Sequence, residues 1–248
     1  FHTQTRRQRS SAKPASQQKR TRHRLCMARS VPYGILQEVR KMKKVITIGR
    51  EFGSGGREIG RRIAEKLQIA YYDQEIVTEI AKRTKLSEEY VERITEDRPY
   101  MAYPIHTGMS FYTAYYAYNE FDKSFTVFAE QHNIIKELAE RSDCIIVGRC
   151  ADYILKEKEP FRIFVYADAE SKVKRCRERS PEDENLSDSR IRRNMRSIDK
   201  GRARYYNCFS RQQWGARENY DLLINTSGKD IEQVSEAVAD FLKKCLFE

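Results

Sequence analysis

From Met42 onward, short apolar runs alternate with segments in which apolar residues recur every three or four positions. Val45-Ile-Thr-Ile-Gly49 is the first run and predicts a strand. After a glycine-rich stretch, Arg57 to Leu67 places Ile59, Ile63 and Leu67 at i, i+4 and i+8, one face of a helix. Ile69 to Tyr72 predicts a second strand, ended by Asp73, which is placed to cap a helix beginning near Gln74. Ser87 is a good N-cap for the next helix. Residues 98–119 break the pattern with Pro99, Pro104, Gly108 and a run of tyrosines, and read as a loop or insertion. Helical spacing returns over residues 120–141.

Further along, Cys144 to Val147, Phe161 to Tyr166 and Leu222 to Asn225 predict three more strands. Helices are predicted over 169–179, 191–207 and 231–246, with an acidic turn over 180–188. Strands that alternate with helices form a parallel sheet covered on both faces, a three-layer α/β/α class. No run approaches the roughly 18 apolar residues that a spanning helix needs, which argues against a membrane protein.

Charge divides the chain. Residues 1–41 hold eleven Lys and Arg against Glu38 alone, while the remainder holds 36 basic and 35 acidic side chains. The net charge of +11 therefore belongs to a tail, and 42–248 is the expected folded domain. The tail has few aliphatic residues and no sustained period, a composition that predicts disorder. Met42 reads as a natural start, which makes 1–41 an upstream extension. The competing readings are a transit-type targeting segment and, through counterion release, a nucleic-acid contact. The six cysteines include no C-x-x-C pair, so neither a zinc site nor a disulfide framework is expected. That usage suits a reducing, cytoplasmic compartment.

Chemistry concentrates in two places. A strand runs into Gly53-Ser54-Gly55-Gly56 and then into a helix, which aims backbone N–H groups and the positive end of a helix dipole at one spot. Phosphate is the natural ligand there, and Arg57 is placed to add a guanidinium. The pattern is not G-x-x-x-x-G-K-[ST]: no lysine follows Gly55, and Glu58 stands where a hydroxyl would help to hold Mg²⁺. The second place is an arginine cluster: Arg190, Arg192, Arg193, Arg196, Arg202, Arg204 and Arg211 lie within 22 residues. Phosphoryl transfer needs cations around the phosphate oxygens, and arginine suits that task.

Ile46-Thr-Ile-Gly-Arg-Glu-Phe-Gly-Ser-Gly-Gly-Arg-Glu-Ile-Gly60, then Tyr71-Tyr-Asp73 and Ile145-Ile-Val-Gly-Arg149, resembles the cytidylate-kinase-like family over about residues 43–244. The resemblance implies a P-loop kinase fold with an Arg-rich helical lid. It implies ATP held by Gly53, Ser54, Gly55, Gly56, Arg57 and Glu58, with Mg²⁺ whose ligand is undetermined, Glu58 standing in for the usual hydroxyl. It places Asp73 and Arg149 at the acceptor nucleotide, and assigns Arg57, Arg149, Arg196, Arg202 and Arg204 to charge neutralisation. Asp199, Arg202 and Arg204 resemble the D-x-x-R-x-R spacing of the lid. The Asp-Gly-Arg-Asp motif of cytidylate kinases reads Val147-Gly-Arg-Cys150 here.

The leading expectation is ATP-dependent phosphorylation of a small-molecule nucleotide, CMP or dCMP first. A nucleotide-binding module without turnover, or a kinase for another small acceptor, stands beside it. The tyrosine-rich 98–119 segment suggests a packed insertion, with a homodimer contact as the other reading.

Overall fold

The computed structural model describes residues 43–96, 111–179 and 186–248, with the side chains of 111–121 left aside. The expectations for the 1–41 tail therefore lie outside the described residues, as do those for 98–110 and most of the acidic turn.

Five strands form one parallel sheet: β1 (Val45–Arg50), β2 (Ala70–Tyr72), β3 (Cys144–Val147), β4 (Phe161–Tyr166) and β5 (Leu222–Asn225), in the order β2-β3-β1-β4-β5. β1 lies at the centre, with Val45 opposite Cys144 on one side and Ile46 opposite Phe161 on the other. Successive side chains of a strand point to opposite faces. Ile46 and Ile48 accordingly enter one core with Ile59 and Ile63 of α1 (Gly56–Leu67) and Ala239 and Leu242 of α8 (Ile231–Leu242). Val45 enters the other core, with Ile76, Val91, Ile135 and Leu155. That second layer is built from α2 (Gln74–Thr84), α3 (Glu88–Glu96), α4 (Phe111–Arg141) and α5 (Ala151–Ile154). Ile46, Ile48, Ile59 and Ile63 are fully buried, and each contributes roughly 1.5–3 kcal/mol by leaving water. Helices α6 (Ala169–Arg179) and α7 (Asp188–Ser210) lie between β4 and β5, and α7 adds Tyr205 and Tyr206 to the second core. Among the described residues no helix is long and apolar enough to cross a membrane.

The strands fall within a residue of their expected bounds, because each is a short apolar run; β1 and β3 at the centre are almost wholly buried, while the edge strands β2 and β5 are partly exposed. Two expectations are corrected. Residues 111–119 are not loop but the start of the 31-residue α4. After Gly108 no Gly or Pro interrupts the chain until Gly148, so nothing in the backbone stops the helix from beginning early. Asp73 occupies the cap position of α2, but its carboxylate makes no cap hydrogen bond. Its own N–H instead donates to Glu75 Oε2 at 3.1 Å. Ser87 does cap as expected, accepting the Tyr90 N–H at 3.2 Å. The last helix ends at Leu242 and gives way to a wider π-type turn over Lys243–Phe247.

Candidate phosphate-binding and phosphoryl-transfer site

Neighbours on opposite sides of β1 are reached by connections that leave in opposite directions. The carboxyl end of β1 is therefore a crevice, the usual ligand position in open parallel sheets. The loop that leaves β1 lies there. Gly53 and Gly55 have φ of 75° and 85°, a left-handed conformation that side chains resist. Gly55 turns the chain into α1, whose first N–H groups have no partner within the helix. The loop lines a cleft of about 790 Å³ together with Arg93 of α3, Arg175 and Arg179 of α6, and Asn194, Ile198 and Arg202 of α7.

The loop is fastened from behind. Ser54 is fully buried: its Oγ donates to the Glu51 carbonyl at 2.8 Å, and its own carbonyl accepts from Thr226 Oγ1 at 2.8 Å. It acts as an internal tie, not as a group facing the cleft. The Phe52 N–H donates to Asp199 Oδ1 at 2.7 Å. Lys172, almost buried, donates to Glu51 Oε2 at 3.0 Å and Asp199 Oδ2 at 3.2 Å. Burial pushes the Asp199 carboxyl above the usual range, against the opposing pull of the Phe52 N–H and Lys172.

Beside the loop, three arginines surround one carboxylate. Glu96, at the end of α3, lies 3.1 Å from Arg50 Nη2, 3.2 Å from Arg149 Nη2 and 2.9 Å from Arg202 Nη2. Burial alone pushes the Glu96 carboxyl up, but the charges of Arg50, Arg202 and Arg149 outweigh it and hold it well below the carboxylate range. Burial pulls the Arg50 guanidinium down to about 10, leaving it cationic at neutral pH. Arg149 also bonds Thr95 Oγ1, while the carbonyl of Arg149 accepts from Gln131 Nε2 at 2.8 Å. Even so, Nε and Nη2 of Arg149 and Nε of Arg202 have no hydrogen-bond partner; the Arg149–Glu96 contact is close but misaligned for a hydrogen bond. Buried donors without acceptors are uncommon, and here both arginines line, with Arg50, Glu96 and Gly148, a small cavity of about 40 Å³.

The remaining candidate residues are placed as follows. Arg57 is half exposed and turns to Asp73, its Nε 2.5 Å from Oδ2. Asp73 Oδ1 has no hydrogen-bond partner and lies 3.8 Å from Arg50 Nη2. Glu58 is held by Arg62 at 3.0 Å and by Arg179, so its carboxylate does not fit the part of a metal ligand. Among the described residues no group of three His, Cys, Asp or Glu could hold a metal. On α7, Asp199 and Arg202 are one turn apart and both face the loop, whereas Arg196 and Arg204 are exposed and line neither cavity. Positions 202 and 204 are about 200° apart on the helix, which divides the D-x-x-R-x-R spacing between two faces. Tyr205 and Tyr206 are buried, bonded to Gln131 and Asp152 at 3.2 and 2.6 Å.

Sequence reasoning passed over Glu96, Arg50 and Lys172 as site residues. Glu96 ends an ordinary amphipathic helix, and only tertiary packing brings it to the arginines. Arg50 carried a weak signal: a charge at the last position of an otherwise apolar central strand.

A doubly wound parallel sheet with a glycine loop after its central strand, bordered by an arginine cluster, defines a P-loop kinase-type α/β protein. Residues 45–228 match the cytidylate kinase-like family, and the chain belongs to that family. It is similar to an uncharacterized protein from Eubacterium ventriosum, 25% identical over 81% of this chain and 99% of that one, with a TM-score of 0.58. Shikimate kinase from Acinetobacter baumannii, solved with shikimate, is 15% identical over 84% of this chain and 97% of its own, with a TM-score of 0.47. Shikimate kinase from Bacteroides thetaiotaomicron is 14% identical over 83% and 99%, with a TM-score of 0.49. No curated protein matches the chain.

Proposed function

We propose that the protein transfers the γ-phosphoryl group of ATP to a nucleoside monophosphate, with CMP or dCMP the first acceptors to test. The observation that carries this reading is that Arg50, Arg149 and Arg202 line one small cavity at the end of β1, with buried donors left over on Arg149 and Arg202. Those donors are what phosphate oxygens require, and a trio of guanidinium groups suits a reaction whose demand is positioning and charge neutralisation.

In this reading the loop N–H groups and the start of α1 bind the ATP phosphates. Arg149 holds the acceptor phosphate, and Asp73 orients the acceptor. An acceptor phosphate oxygen forms a bond to the γ-phosphorus as the bond to the β-phosphate oxygen breaks, and ADP leaves. Arg202, anchored beside Arg50, neutralises the transferring group. Asp199 and Lys172 keep the loop in the conformation that presents its N–H groups. Mg²⁺, bound with ATP, would supply further charge neutralisation at its phosphates. With Glu58 occupied by Arg62 and Arg179, no residue of the loop is assigned to the ion, which would act through the nucleotide phosphates.

ADP formation with Mg·ATP and a panel of CMP, dCMP, UMP, AMP and GMP, against a control without acceptor, tests the proposal. Acceptor-dependent turnover that disappears in Arg149→Ala is expected. ATP binding without turnover on any acceptor would favour the nucleotide-binding module instead.

A further inference from the structure

Gly56 has no evident conformational reason to be glycine. It is the first residue of α1 and does not have a positive φ. Yet a Cβ added there would lie 2.6 Å from Arg50 Cβ and 3.4 Å from Arg50 Cγ. At the far end of the same side chain, a Cβ on Gly148 would lie 1.7 Å from Arg50 Nη1 and 2.9 Å from its Cζ. The Arg50 side chain thus lies in a trough floored by two glycines, its stem over Gly56 and its head over Gly148.

Counted from Gly55, the glycine that turns the chain into α1, the next position is where an ordinary phosphate loop carries its lysine, and Gly56 holds that position. Here that side chain is missing, and the stem of Arg50 fills the space its Cβ would need. Two other cations near the loop are committed elsewhere. Arg57 is half exposed and paired with Asp73, and Lys172 is held behind the loop by Glu51 and Asp199. Arg50 is 7% exposed and borders both the large cleft and the small arginine-lined cavity, the boundary that a transferring group would cross. Its head is steadied by Glu96 at 3.1 Å and Asp73 at 3.8 Å.

We infer that Arg50 replaces the missing loop lysine as the cation of the phosphate site, and that Gly56 is the small residue this replacement requires. The cation has moved from the start of the helix to the end of the strand, and the two positions exclude each other sterically. The inference rests on the phosphoryl-transfer reading and adds a residue and a coupling to it.

The test is a swap in the full-length chain, read by calorimetric binding of inorganic tripolyphosphate and by kcat and KM on whichever acceptor the wild type uses. Arg50→Met keeps the packing over both glycines and removes the charge. We expect tripolyphosphate affinity to fall at least tenfold and kcat at least a hundredfold, with the circular dichroism spectrum unchanged. Gly56→Ala, which displaces Arg50 without removing it, is expected to lower kcat at least tenfold, as is Gly56→Lys. The double variant R50G/G56K is expected to recover at least tenfold over either of its single variants. A folded Arg50→Met with wild-type affinity and turnover overturns the inference while the kinase reading stands. If Arg50→Met does not fold, unchanged turnover in Gly56→Ala overturns it equally. A wild-type chain that binds neither tripolyphosphate nor ATP overturns the underlying reading instead.

Discussion

Asp199 Oδ1 accepts the backbone N–H of Phe52 at 2.7 Å, which ties the long arginine-bearing helix α7 directly to the phosphate loop. The same carboxylate meets Lys172 at 3.2 Å, so one residue joins loop, α6 and α7. Asp199→Ala leaves a buried Lys172 and an orphaned N–H, and is expected to destabilise the fold by about 1–3 kcal/mol. Asp199→Asn retains an acceptor for Phe52 and should recover part of that loss. Urea unfolding measures both. ATP affinity is expected to fall further in the alanine variant than in the asparagine variant, because the alanine releases the loop.

Glu96 is the counter-ion of the buried Arg50 and Arg149 and of the largely buried Arg202. Glu96→Gln removes the charge and is expected to lower stability by about 3–5 kcal/mol, as when one partner of a buried pair is lost. Inorganic phosphate, which offers the arginines a new anion, should restore more of the melting temperature in this variant than in the wild type. Thermal melts in phosphate against chloride at matched ionic strength decide it; equal shifts would count against an anion site.

The same residue sets an acid limit. Its carboxyl titrates lower in the fold than in the unfolded chain. Its contribution is therefore complete above the unfolded value and is lost as pH falls toward the depressed folded one. Asp199 has the opposite sign: its raised value means that protonation on acidification relieves a buried charge. Wild type is expected to lose stability on acidification more steeply than Glu96→Gln, and Asp199→Asn more steeply than wild type. Urea midpoints between about pH 5 and pH 3, the range spanning ordinary carboxylates, test both slopes.

Arg202 and Arg204 separate the two faces of α7. Arg202→Ala is expected to lower kcat at least fiftyfold, since its head lies 2.9 Å from Glu96 and borders both cavities. Arg204→Ala and Arg196→Ala, at exposed positions, are expected to change it less than threefold. Steady-state kinetics on the acceptor found active would show whether the spacing motif or the helix face governs.

Arg149 is expected to act on the acceptor. Arg149→Lys keeps a charge but not the fork that reaches both Thr95 and Glu96. The acceptor KM should rise at least tenfold, with ATP affinity within twofold of wild type. Equal losses for both substrates would place Arg149 in general structural support.

Much of the fold was legible along the chain because its signals are local. Strands buried on both faces read as apolar runs, as at Cys144 to Val147, and α1 declares itself through Ile59, Ile63 and Leu67. The glycine loop was equally legible, since Gly53 and Gly55 mark backbone that must turn through positive φ. Where local signals misled, composition had stood in for backbone physics. Tyrosines after Gly108 suggested a loop, but without Gly or Pro the backbone had no reason to leave the helix.

The sequence by itself determined the order of strands and helices, the position of the phosphate loop and the wealth of arginine on α7. Only the tertiary structure decided which arginines count. A period of 3.6 residues turns Arg202 inward and Arg204 outward, and the meeting of α3, β1, β3 and α7 brings Glu96 to Arg50, Arg149 and Arg202 across as many as 106 positions of chain. Charges make no periodic pattern that announces such a meeting. Their partners are fixed by how the layers pack, and packing is a property of the whole chain.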